Sequence, residues 1–294
     1  QLSQRPLAER LAALQLVGAS EPDRVYQPTC VAQWHPGVCG HHALFSVRCL
    51  LHGRTEELRD ERAFWRSLLP SIARLARHGE SSARWPRSRV TGGVADEVHL
   101  NHLVETDDEL RGHVTTAHSS EELRARLACA SSEARRALDD VRARRKEAHG
   151  FLLGATAHWY AVVVVATAEG QGGQQAYLCD SYNLPLAHLL QLPTEALEEL
   201  ADQLLERLRP EMYKKLRSLS DWAHRPEEHL AQALVDGVPE FWRGEPKPSL
   251  FWKHKPLSLQ RRLKVQELLD VRTFLEALVS STAAAAAGGG SAAL

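Results

Sequence analysis

Apolar residues recur at helical spacing in several stretches of the chain and crowd together in one. Leu7, Leu11, Leu14 and Val17 share a face and predict a first helix from Pro6 to Val17. A connector rich in Pro and polar residues follows, to about Gly37. A second helix is expected to begin at Cys39, to carry Ala43, Leu44, Val47 and Leu50, and to end near Gly53. A third is expected over Glu56 to Arg77, interrupted or kinked at Pro70. Gly79 to Arg89 is polar, and its serines and Pro86 favour loop. Ser119-x-x-Glu122 has the form of a capping box, in which side chains satisfy unpaired backbone donors. A long charged helix with a solvated face is expected from there to about Ala148, with Gly150 as its stop.

After Gly150 the period changes. Phe151 to Thr156 reads as a strand, and His158-Trp-Tyr-Ala-Val-Val-Val-Val-Ala as a stronger one, β-branched and apolar on both faces. Glu169 to Gln175, with three glycines, predicts a flexible turn, and Ala176 to Ser181 the returning strand of a hairpin. Leu197, Leu200, Leu204 and Leu208 form a helical stripe, and Leu257 to Leu278 predicts another long helix. Between them, Asp221 to Lys255 is rich in Trp and Pro and has no clear period, which suits an irregular docking arm. The last residues, 280–294, are nearly all Ala, Gly and Ser and read as a disordered tail.

Composition narrows the function classes. An apolar share of 44% and a charged share of 25% are those of a soluble globular protein, so a packed core is expected. Net charge is −1, and Lys and Arg are spread among Asp and Glu, which argues against a nucleic-acid partner. The longest mainly apolar run, Ala157 to Ala168, falls short of the ~20 residues needed to cross a bilayer, so no membrane partner is expected. The opening Gln-Leu-Ser-Gln-Arg-Pro has no initiator Met and no apolar core of the signal-peptide kind. Cys30, Cys39, Cys49, Cys129 and Cys179 are irregularly spaced and lack C-x-x-C pairs. They do not make a disulfide framework, and a reducing, cytoplasmic setting is the natural expectation.

Acyl transfer by a thiol needs a thiolate, a base, a group to orient the base, and donors for the oxyanion. Cys39 follows Pro36-Gly37-Val38, where a loop turns into a helix. Unpaired amides at a helix N-terminus favour a thiolate, which sets Cys39 apart from the other four cysteines. Cys49 and Cys179 read as small buried apolar residues. Gln33, six residues before Cys39, can fold back and donate to an oxyanion together with the Cys39 backbone amide. His158 opens the strongest strand and can present a ring nitrogen to Cys39, with Trp159 shielding the pair from water. Asp180, on the returning strand, can reach the other ring nitrogen; Asn183 is the second choice for that role. Asp180-Ser-Tyr-Asn also suits an Asx-type turn after the strand.

Gln33-x5-Cys39-Gly-His-His-Ala-Leu-Phe, His158-Trp-Tyr and Asp180-Ser-x-Asn resemble, in that order, the papain-like superfamily of cysteine peptidases. Within it the pattern is most similar to ubiquitin- and ubiquitin-like-processing peptidases, where Josephin-type enzymes pair a Cys-x-x-His helix with a later His-Trp strand. The resemblance implies an α+β fold, with a helical half bearing the nucleophile packed on an antiparallel sheet. It implies Cys39 as nucleophile, Gln33 as oxyanion donor, His158 as base and Asp180 as its orienter. Trp34, Gly40, His41, Trp159 and Asn183 are expected around the substrate cleft, and His41 and His42 either line it or pack against Trp34. The expected organisation is an N-terminal helix and connector over 1–29, a catalytic core over 30–190, a helical extension over 191–279 and the tail. The implied function is a cysteine peptidase or isopeptidase acting on ubiquitin or a ubiquitin-like protein, without a cofactor. Deamidation or transglutamination would use the same groups.

Two other readings frame this one. Cys39, His41, His42 and His35 all come from one short segment and no second close pair stands out, so zinc is not expected. A papain-like core can also serve mainly as a scaffold. The long helices and Trp-rich arm would then dock the chain, through its C-terminal region, into a large intracellular assembly such as a cytoskeletal or ciliary one.

Overall fold

The computed structural model describes residues 25–33, 39–68, 70–71, 97–117, 119–155, 158–166, 174–184, 186, 189–215 and 256–288. The helix expected at Pro6 to Val17, the loop at Gly79 to Arg89, the arm at Asp221 to Lys255, the linker 169–173, Trp34 to Val38 and residues 289–294 lie outside them. The fold is α+β, built on one five-stranded sheet in the order β1 (Val25–Tyr26), β5 (Gln174–Cys179), β4 (His158–Ala166), β3 (Ala148–Ala155), β2 (Val114–Ala117). The central pairs β3–β4 and β4–β5 are antiparallel, with Phe151 opposite Val162 and Val163 opposite Tyr177. The edge strands pair parallel, β1 on β5 and β2 on β3, so the sheet is mixed rather than antiparallel throughout. Both edge strands escape sequence patterning because two or four residues are too few to show a period.

Helix α1 (Cys39–Leu51) lies on one face of the sheet. It ends in a Schellman arrangement: Gly53, at φ +62°, donates to Leu50 O at 3.1 Å and Arg54 donates to Cys49 O at 2.8 Å. Val47, Leu44 and Leu50 pack there with Ala161, Val163 and Val165 of β4, and with Leu100 and Leu103 of α2 (Glu97–Glu105). The close approach needs Gly150: a Cβ there would stand 2.5 Å from Val47 Cγ1. Gly150 therefore lies inside β3 as a contact point and does not stop a helix.

The opposite face is covered by α3 (Ser120–Ala128), α4 (Glu133–Arg142), α5 (Ala196–Lys215) and α6 (Leu257–Gly288). Phe151, Leu153, Val162, Val164 and Leu178 of the sheet meet Leu123, Leu138, Leu197, Leu268, Val271 and Phe274. Fully burying such a side chain contributes roughly 1.5–3 kcal/mol. Burial on both faces explains why β4 is an unbroken apolar run. The helical region after residue 190 thus completes, with α3 and α4, one of the three layers.

The single long helix expected after Ser119 is two helices. Ser119 Oγ accepts from Glu122 N at 3.1 Å to start α3, and Ser132 Oγ accepts from Arg135 N at 3.1 Å to start α4. A second serine cap re-initiates the chain where charge patterning alone suggested continuity. In the described part of the helix expected over Glu56 to Arg77, a 3₁₀ turn, Thr55–Arg59, precedes a helix over 61–68 that Asp60 caps through Arg62 N at 2.9 Å, and residues 72–77 lie outside the described residues. The last helix continues past Leu278 to Gly288, because alanine is the best helix former and its run extends the helix over residues expected to be irregular. Among the described residues, no helix is long and apolar enough to cross a membrane.

Candidate active site

The first turn of α1 brings Cys39 to the end of the sheet where β4 begins at His158 and β5 has just ended at Cys179. In the β4–β5 ladder Ala161 faces Cys179. One further step sets Asp180 beside Tyr160, diagonal to His158 on the same face and within side-chain reach. His158 Nε2 and Asp180 Oδ1 are 2.8 Å apart, both fully buried. That bond leaves Nδ1 of His158, which makes no other hydrogen bond, for the Cys39 thiol.

Burial alone would push the His158 pKa down. The Asp180 hydrogen bond and charge, with a hydrogen bond and charge from Cys39, reverse this and raise it to about 10. These partners therefore favour the imidazolium form. Burial opposes the Asp180 carboxylate in the same way, but His158 and the amides of Leu184 and Tyr182 hold it below the ordinary carboxylate value.

Asp180 also builds the turn that follows the strand. Its Oδ1 accepts from Tyr182 N at 3.1 Å and its Oδ2 from Leu184 N at 3.0 Å. The Asx-type turn and the contact to His158 are one arrangement, with Oδ1 shared between them. Asn183 sits in this turn at φ +53° and does not face the histidine. Its Oδ1 accepts from Cys30 N at 2.8 Å and its Nδ2 donates to Cys30 O at 3.0 Å. Its side chain is thus a clip for the approaching chain, and the group bonded to His158 is Asp180.

The same seam places Gln33. Gln27 donates to Leu184 O and accepts from Leu186 N at 2.8 Å, and Gln33 N donates to Ser181 O at 2.9 Å. Ser181 Oγ donates to Gln33 Oε1 at 2.8 Å, which turns the amide nitrogen away as the donor end. Tyr182 touches three members of the site. Its ring stacks on His158 with centroids 4.5 Å apart, and its hydroxyl hydrogen-bonds with Gln33. Burial, then the charges of Cys39 and Asp180, push its own pKa up.

The remaining expected residues divide. Trp159 is buried in the core on the α1 side, on the opposite face of β4 from His158 by strand alternation. Gly40 is buried in the first turn of α1. His41 is buried, and burial followed by the charge of His99 lowers its pKa to about 4. His42 stacks on Phe64 at 4.0 Å, and burial, then His41 and His158, lower its pKa to about 3. Both stay neutral imidazoles. Trp34 lies outside the described residues. Cys49 and Cys179 are buried with raised pKa values, as inert thiols are.

Gln27 ties the approaching chain to Leu184 and Leu186, and Ser181 and Tyr182 contact Gln33, Asp180 and His158; sequence patterning singled out none of the three. The last two stood inside the Asp180-Ser-Tyr-Asn run, so proximity to a site residue was the available signal. Among the described residues, no three His, Cys, Asp or Glu side chains gather as a metal site. Comparison of the chain with protein-family models, curated proteins and solved structures finds no match.

Proposed function

We propose that the protein is a papain-like cysteine peptidase or isopeptidase, with a ubiquitin-like C-terminal tail as its substrate class and an intracellular, cytoplasmic place of work. The observation that carries this reading is the buried His158, hydrogen-bonded to Asp180 through Nε2, with Cys39 among the groups that act on the imidazole. Nucleophile, base and orienter in that sequence of contacts are what an activated thiol requires. In the reaction, Cys39 Sγ attacks the acyl carbon and the carbonyl pair moves onto oxygen. The Gln33 amide and the Cys39 backbone N–H donate to that oxyanion. Collapse breaks the C–N bond, and protonated His158 gives its proton to the departing amine. Water then attacks the thioester, His158 takes its proton, and acid product and free Cys39 are released.

One observation favours a second reading, a scaffold subunit of a large assembly that keeps this core. Cys39, His158, Asp180 and Gln33 are all buried, none more than 5% exposed, and Tyr182 lies against them. A substrate would have to displace something to reach the thiol.

The test is ubiquitin carrying a thiol-reactive C-terminal warhead, beside Cys39→Ala and His158→Ala. A covalent adduct lost in Cys39→Ala is expected. No adduct, with Cys39 also inert to a small alkylating probe, would favour the scaffold. Fast reaction with the small probe alone would keep the thiol enzyme and discard ubiquitin.

A further inference from the structure

Helix α6 carries a buried ion pair to the catalytic strand. Lys264 and Glu267 lie one turn apart with side chains 2% exposed, and Lys264 Nζ donates to Glu267 Oε1 at 2.7 Å. The same carboxylate oxygen accepts from the Tyr160 hydroxyl. The Tyr160 ring meets the His158 imidazole edge-on, with centroids 4.7 Å apart and planes at 88°. Tyr182 stacks on that imidazole at an angle of 23°.

The pair is not needed to dock the helix. Leu268, Val271, Phe274 and Leu275 already bury themselves against the sheet. Stripping a lysine and a glutamate of water costs more than packing two apolar side chains of the same volume. What the charges add is direction: an ionised carboxylate is a strong, fixed acceptor for one phenol, and that phenol belongs to the residue beside the base.

We propose that Glu267, held by Lys264, is a positioning residue of the active site, fixing through Tyr160 the His158 ring in the plane that meets Asp180 and Cys39. The C-terminal helix thereby supports a base more than a hundred residues away in sequence. The inference rests on the reading of His158 as catalytic base. The titratable groups facing His158 are Cys39 and His42 from α1, Asp180 and Tyr182 after β5, and Tyr160 beside it on β4. Glu267 and Lys264 stand behind Tyr160.

The experiment is NMR titration of the imidazole nitrogens in the full chain labelled at histidine, for the native protein, Tyr160→Phe and Glu267→Gln. Thr115→Val, which removes the contact between Thr115 Oγ1 and His149 Nε2 on β2 and β3, is the control for general destabilisation. A slackened ring loses part of its bond to Asp180. The His158 titration should therefore fall by about 1 pH unit or more in both site variants and stay in place in Thr115→Val. Alkylation of Cys39 at neutral pH should slow about tenfold with it. An unmoved His158 titration in folded Tyr160→Phe, which removes a single oxygen, would overturn the proposal even if Glu267→Gln did not fold. Failure of the ubiquitin probe with a shifted titration would leave this inference standing and remove only the substrate.

Discussion

His158 and Asp180 share a 2.8 Å hydrogen bond with no water-exposed edge, and each alters the other's protonation. The His158 pKa is raised from 6.5 to about 10, so its contribution to stability is full below about pH 6.5 and is lost as pH rises through about 10. The Asp180 pKa is lowered, so its contribution is present above the ordinary carboxylate range and is lost as pH falls through the folded value. Asp180→Asn should consequently destabilise most at about pH 6 and least above about pH 10. Urea denaturation of both proteins across that range measures it, and a pH-independent difference would contradict the coupling.

Gln33 and Ser181 should act as a pair. On the proposed peptidase reading, Gln33→Ala is expected to lower turnover about a hundredfold with little change in KM, the signature of a donor used only in the transition state. Ser181→Ala removes the hydroxyl that orders the amide, so part of the same loss should appear there. The double variant should then fall short of the product of the two losses. Steady-state kinetics on a ubiquitin C-terminal amide provides the three rates.

Gly150→Ala forces a methyl to within 2.5 Å of Val47 Cγ1, and both belong to packed elements. A loss of about 1–3 kcal/mol is expected from overpacking. Because Val47 rides on the helix that begins with Cys39, thiol alkylation should slow as well. Denaturation and alkylation rates of the one variant read both effects.

Buried neutral histidines predict acid sensitivity. His41, His42 and His149 have pKa values lowered to about 4, about 3 and about 3, chiefly by burial. The folded state withholds protons that the unfolded chain accepts below about pH 6.5, so stability is present above that pH and falls beneath it. Each group contributes a slope of about 1.4 kcal/mol per pH unit in that window. His42→Phe, which keeps the stack on Phe64, should flatten the slope by one such increment. Denaturation midpoints at about pH 5 and about pH 7 decide it, and an unchanged slope would mean His42 protonates in the folded protein.

Local pattern alone determined the elements that carry Cys39 and His158. A helix beginning at Cys39 follows from the Pro-Gly entry and the apolar spacing after it, and a strand beginning at His158 from a β-branched run. These are properties of neighbouring residues, which periodicity reports. Only the tertiary structure decided what was long-range. β1 finds its partner at Ala176 and β2 at Gly150, and neither shows a pattern of its own. Asn183, the alternative orienter by its place in the chain, is occupied by the backbone of Cys30, while Asp180 takes the histidine. Glu267 reaches Tyr160 across 107 positions. Residue type limits what a side chain can donate or accept; which partner it meets depends on how the sheet and helices close around it.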